Sequence, residues 1–217
     1  MKKIVLLGDS IRFQYQNHVQ KALEDVASIL APEDSGRFAV YTMRYIYEWR
    51  NKGGWGEDVD LVHWNVGAWD VIYLYGEDEP LTTKEYYEYM IKRINNNLHK
   101  FFPKAKFIFA TTTAVREELY DEWWFIRKNK TIEEFNRAAI EALKGTGTII
   151  NDLYAHTKVL TQDYYKDPEH FSPDLGAPYL GKVVSEKICE VLNIDKNLLK
   201  NVEGVELKKV DAYTFGK

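Results

Sequence analysis

Short unbroken apolar runs alternate along this chain with longer stretches in which apolar positions recur every three or four residues. The runs read as buried strands and the longer stretches as amphipathic helices. The first run, Ile4-Val5-Leu6-Leu7, stops at Gly8-Asp9-Ser10. A helical pattern begins at once (Ile11, Tyr15, Val19, Leu23) and predicts a helix over residues 11–30. Pro32 and Gly36 mark a loop, a second helix follows over residues 42–49, and residues 51–56 form a Gly-rich loop. Residues 60–65 predict a short buried strand that ends at Val66-Gly67-Ala68-Trp69-Asp70. A long helix spans residues 82–101, capped by Thr82 or Thr83, with Glu85 in its first turn and Pro103 beyond its end. Residues 106–110 predict a strand leading into Thr111-Thr112-Thr113, and residues 147–152 another. Residues 117–130 are aromatic and charged and read as a cap over the site. A helix over residues 131–143 opens on a capping box of Thr131 and Glu134, and the last main helix covers residues 175–192.

Strand and helix alternate throughout, which predicts a three-layer α/β/α sandwich around a mainly parallel sheet. Right-handed crossovers place all strand C-termini on one edge. Ser10, Asn65 with Gly67, and Thr111 to Thr113 should converge there. The 217 residues fit one domain over residues 1–192. The polar remainder, residues 193–217, reads as an edge strand or arm that packs on the same domain or on a partner subunit, which leaves a homo-oligomer open.

Composition removes several classes. A net charge of -4 gives no electrostatic case for nucleic acid. The lone Cys189 excludes an intrachain disulfide. No apolar run reaches membrane-spanning length and no signal-peptide core precedes the first strand, so a cytoplasmic protein without membrane partners is expected. His18, His63, His99 and His156 show no metal-ligand spacing, and neither a metal nor another cofactor is expected. Of these, His63 lies inside a predicted strand and reads as a hydrogen-bonded core residue. The aromatic stretches around residues 45–55 and 120–125 are charged as well as apolar, which suits a sugar ring better than a long acyl chain.

The candidate chemistry starts at Ser10. A serine at a strand-to-helix turn sits where α/β folds place their sites and where helix N–H groups favour negative charge. Gly-Asp-Ser is equally a turn with an N-cap. A serine hydroxyl needs an imidazole base, and the imidazole needs a carboxylate to orient it. Asp167 and His170, three residues apart in Asp167-Pro168-Glu169-His170-Phe171-Ser172-Pro173, can supply both. Backbone N–H groups at Ser10 and Gly36, with the Asn65 side chain, are the candidates for an oxyanion hole. Asp9, Trp69, Thr112 and Arg127 lie in or beside these stretches and are candidate substrate contacts.

Together these blocks resemble the SGNH (GDSL-type) hydrolase family over most of the chain. Gly8-Asp9-Ser10-Ile11 is similar to its first block and Ser35-Gly36 to its second. Asp167 to Pro173, with Gly176 and a helix beyond, is similar to its fifth. The resemblance implies Ser10 as nucleophile, Asp167 and His170 as its partners, and Gly36 as an oxyanion donor. The third block departs: the family's Gly-x-Asn-Asp is here Gly67-Ala68-Trp69-Asp70, with Trp69 in the Asn position. Asn65 precedes that glycine, as in a branch of the family with an Asn-x-Gly-x-Trp-Asp block, and takes the donor role in this reading. The expected activity is hydrolysis of short-chain, acetyl esters on a carbohydrate. The alternatives are an idle glycan-binding module and an O-acyltransferase using the same serine.

Overall fold

The computed structural model describes residues 1–121 and 124–210. Five parallel strands form the sheet in the order β2-β1-β3-β5-β7. They are β1 (Lys2–Leu7), β2 (Ala27–Leu30), β3 (Leu61–Trp64), β5 (Lys106–Ala110) and β7 (Ile149–Asn151). A separate antiparallel pair joins β4 (Tyr73–Leu74) to β6 (Phe125–Ile126). The helices are α1 (Ser10–Ala22), α2 (Ala39–Lys52), α3 (Lys84–Phe101), α4 (Asn129–Leu143), α5 (Leu153–Lys158) and α6 (Gly176–Leu192).

Alternate residues of each strand feed opposite faces of the sheet. Val5, Leu7, Val62, Trp64, Phe107 and Phe109 pack with α2, α3 and α4. Ile4, Leu6, Leu61, Ile108 and Ala110 pack with α1 and α6. Helices therefore cover both faces, the three-layer arrangement expected from the alternation, and all five C-terminal strand ends share one edge.

Several local expectations need correction. The predicted helix over residues 11–30 ends at Ala22, and residues 27–30 form the edge strand β2. Val26 and Ala27 prolong the helical spacing, but Ala27 pairs with Lys2 of β1 and opens the strand. Thr131 does not cap α4, which begins at Asn129; its hydroxyl instead meets Tyr73 Oη at 2.7 Å. Thr83 does cap α3, accepting from Tyr86 N at 3.3 Å. Among the described residues beyond 192 there is one short 3-10 turn, Lys196–Leu198, and no strand. Val202, Val205 and Leu207 of this segment lie against the α1–α6 core, and Lys200 N donates to Ala22 O. Residues 122 and 123 of the expected cap and residues 211–217 of the expected arm lie outside the described residues.

Candidate active site

Strand β1 delivers the first group. It ends at Gly8 because nothing larger fits there: a Cβ on Gly8 would sit 2.1 Å from Asn65 Oδ1 and 2.8 Å from Arg12 Cβ. Asp9 then caps α1, accepting from Ile11 N at 3.0 Å, and Ser10 becomes the first helical residue. Its N–H belongs to the first turn of α1, where intrahelical acceptors are missing.

The second and third groups arrive on the loop before α6. His170 Nε2 lies 2.9 Å from Ser10 Oγ, across 160 residues of sequence. His170 Nδ1 lies 2.9 and 3.1 Å from the two oxygens of Asp167. Asp167 is itself oriented by its own loop, since Oδ1 accepts from Glu169 N and His170 N. Further contacts hold this loop from three directions. Phe171 N donates to Gln14 of α1, Arg116 N donates to Pro168 O, and Glu169 pairs with Arg127. A hydroxyl, an imidazole and a carboxylate are thus lined up in proton-transfer order.

The expected oxyanion donors are placed differently. Gly36 does sit against the nucleophile turn, but its N–H donates to Gly8 O at 2.8 Å. That donor is already engaged, so Gly36 acts here as a tie between the two loops. Asn65 is nearly buried beneath Gly8 and Asp9. Its amide and the Ile11 N–H favour an ionised Asp9, yet burial outweighs them and pushes the Asp9 pKa up. Gly67 follows with φ +133, a left-handed backbone, and its missing Cβ leaves room for Thr112 Oγ1 and Tyr87 Oη.

Three candidate substrate contacts are spent on the scaffold. Thr112 is buried, its backbone N and O paired with the Asn136 side chain. Arg127 is 4% exposed, paired with Glu169 and donating to Ala68 O, so it holds two site loops rather than facing a substrate. Asp9 is only 1% exposed and caps α1. Trp69 alone stands at the rim, edge-on to Phe38 with ring centroids 5.4 Å apart. Reasoning from sequence missed Glu169 and Asp70. Asp70 is buried beyond Trp69, and both its oxygens accept from Ala39 N at 3.0 and 3.3 Å, so it caps α2 from a distance. Its burial pushes the pKa up to about 7.

Of the other histidines, His63 is the buried core residue expected, its pKa lowered by burial to about 3. The aromatic stretch of α2 borders a cavity of about 470 Å³ with Tyr45, Trp49, Trp55, Glu33 and Lys52, but Trp49 and Trp55 are themselves buried. Behind the nucleophile turn, Asp9, Asn65, Ala68 and Thr112 enclose a space of only about 10 Å³.

No protein-family model matches the chain, and no curated protein matches it significantly. Solved structures do. A lipase/acylhydrolase from Enterococcus faecalis superposes with a TM-score of 0.67 at 21% identity, covering 92% of this chain and 98% of that one. A GDSL-like lipase from Bacteroides thetaiotaomicron gives 0.61 at 18% identity over 88% of each chain. An acetylxylan esterase from Geobacillus stearothermophilus gives 0.62 at 14% identity, covering 90% of this chain and 95% of that one. The chain has the α/β fold of these GDSL-type lipases, acylhydrolases and esterases.

Proposed function

We propose that this chain is a serine hydrolase of the SGNH (GDSL-type) family that cleaves carboxylic esters through an acyl-enzyme, with acetyl groups on a carbohydrate as its substrate class. The observation that carries the proposal is the unbroken line from Ser10 Oγ through His170 to Asp167.

In the reaction, His170 Nε2 takes the hydroxyl proton as Ser10 Oγ bonds to the ester carbonyl carbon. The oxyanion draws on the Ser10 N–H, with Asn65 as the side chain proposed to assist. His170 returns the proton to the departing alkoxide, and the alcohol leaves. Water, deprotonated by His170, then attacks the acyl-Ser10 ester, and the collapse releases the carboxylic acid and restores the serine. Asp167 fixes the Nδ1–H tautomer and stabilises the imidazolium in both halves. Every step is an acid–base or acyl transfer that these side chains can perform themselves.

The acetyl group is supported by the likeness of fold to the acetylxylan esterase from Geobacillus stearothermophilus. A carbohydrate alcohol is supported by the paired Phe38 and Trp69 rings, on the loops that follow Gly36 and Gly67. p-Nitrophenyl acetate hydrolysis by the wild type, Ser10→Ala and His170→Ala tests the reading, with octanoate run alongside. Both variants should lose at least about 10³-fold in kcat, and acetate should be preferred. Turnover that survives Ser10→Ala would overturn the assignment. Hydrolysis that gives way to acyl transfer when a sugar acceptor is added would point to the transferase instead.

A further inference from the structure

The rim of the site continues into a groove that the triad does not use. Phe38 stands two residues after Gly36, whose N–H is bonded to Gly8 O, and Trp69 stands two residues after Gly67. Their rings touch edge to face. From Phe38 the surface runs into an open groove of about 490 Å³ between the N-termini of α2 and α3, lined by Phe38, Val40, Leu81, Thr82, Thr83 and Tyr86. Val40, Leu81 and Tyr86 are 44–45% exposed.

The two threonine hydroxyls of this wall already have partners. The Thr83 hydroxyl accepts from Tyr86 N, and the Thr82 hydroxyl serves the Asp70 carboxylate. What remains to meet a ligand is the Phe38 ring, the Tyr86 ring with its hydroxyl, and two branched aliphatic side chains. A long acyl chain gains most from an enclosed tunnel that removes it from water on all sides. A shallow groove that covers one face only suits a ring with an apolar C–H face and a polar rim.

We infer that this groove binds the sugar ring on the alcohol side of the ester. A pyranose would lay its C–H face on Phe38, Tyr86 and Leu81 and keep its hydroxyls at the solvent-facing mouth. This inference rests on the esterase reading above and adds to it the place where the leaving group sits. Trp69, packed against Phe38, then stands at the Phe38 end of the groove.

The test uses Tyr86→Ala and Leu81→Ser, neither of which touches the triad. Activity is measured on acetylated xylo-oligosaccharides and on ethyl acetate. KM for the sugar esters should rise about five- to tenfold in each variant, with kcat/KM for ethyl acetate within about twofold of wild type. Unchanged sugar-ester kinetics would overturn the inference. So would a selective loss of activity on octanoate esters, which would assign the groove to an acyl chain. If the wild type cleaves no ester, the esterase reading falls, and the groove is decided separately by NMR titration of Ser10→Ala with unacetylated xylo-oligosaccharides. Shifts confined to the residues of the groove would uphold sugar binding there; none would end it.

Discussion

Arg127 and Glu169 form a buried ion pair directly behind the triad, at 4% and 7% residual exposure. Arg127 comes from the end of β6 and Glu169 from between Asp167 and His170. Through Ala68 O the same guanidinium holds the Gly67–Asp70 turn. Burial lowers the Arg127 pKa, while the Tyr120 and Asp9 side chains favour its charge. Removing one member of such a pair strands the other charge, at a cost of about 3–5 kcal/mol. Arg127→Met and Glu169→Gln should therefore each destabilise the protein in urea unfolding. In folded enzyme, ester hydrolysis should fall by about 10² in kcat as the triad loop drifts. Arg127→Lys should recover part of the stability but less of the activity, because one ammonium cannot reach Glu169 and Ala68 with the same fork. Equal recovery of both would sink the positioning role.

Gly8 makes a sharper prediction. Its absent Cβ is what lets Asn65 and Arg12 close on the nucleophile turn. Both neighbours are buried and neither is a loose side-chain end: Arg12 is 0% exposed, with Nη2 donating to Asp34 O at 2.7 Å. Gly8→Ala should cost about 1–3 kcal/mol in thermal or urea unfolding, the usual range for overpacking. It should also lower esterase kcat, because Ser10 is carried on the displaced turn. A variant as stable and as active as wild type would show that the turn relaxes freely.

The parts of this site that could be read from sequence are those encoded locally. A strand that stops at Gly8-Asp9-Ser10, and an Asp167 and His170 three residues apart, announce their roles by type and spacing. The sheet was legible for the same reason wherever a strand was a long apolar run. It was not legible at β2, four residues of mixed burial that continue the spacing of α1, or at β4 and β6, which are two residues each. Roles that depend on distant partners were equally hidden. Nothing near Gly36 tells that Gly8 O will take its N–H, and nothing near Arg127 tells that Glu169 lies 42 residues on in the same pocket. Asp70 was quoted only as part of a block, though it caps a helix that begins 31 residues earlier.

Asp70 ties stability to pH in an unusual direction for a carboxylate. Its folded pKa of about 7 lies above the ordinary Asp value, so the folded state holds the proton more tightly than the unfolded chain. The contribution of this group is complete below about pH 4 and is lost as pH rises through 7. Asp70→Asn keeps an acceptor for Ala39 N and removes the titration. Compared by urea unfolding between pH 4 and 8, the variant should gain on the wild type steadily up to about pH 7 and then run level. Parallel curves would mean that Asp70 is ionised throughout.

His63 acts in the opposite direction over part of the same range. Its ring lies between Tyr15 Oη at 3.4 Å and Asn151 Nδ2 at 3.3 Å, inside β3 and shielded from water. With the Asn151 amide donating, Nε2 accepts and Nδ1–H faces the tyrosine hydroxyl, so the neutral ring is satisfied on both sides. Protonation would set an N–H against the amide N–H in a site without solvent, and burial holds the pKa near 3. The unfolded chain therefore takes up a proton near pH 6.5 that the folded protein refuses. Stability from this residue is complete above 6.5 and is lost as pH falls toward 3, at up to about 1.4 kcal/mol per pH unit. His63→Gln should be less stable than wild type at pH 7.5. The gap should narrow as the pH is lowered from 6.5, in urea unfolding followed by far-ultraviolet circular dichroism. A gap that stays constant down to pH 4 would mean that His63 is protonated in the folded protein, and that the Tyr15–His63–Asn151 arrangement carries a charge inside the sheet.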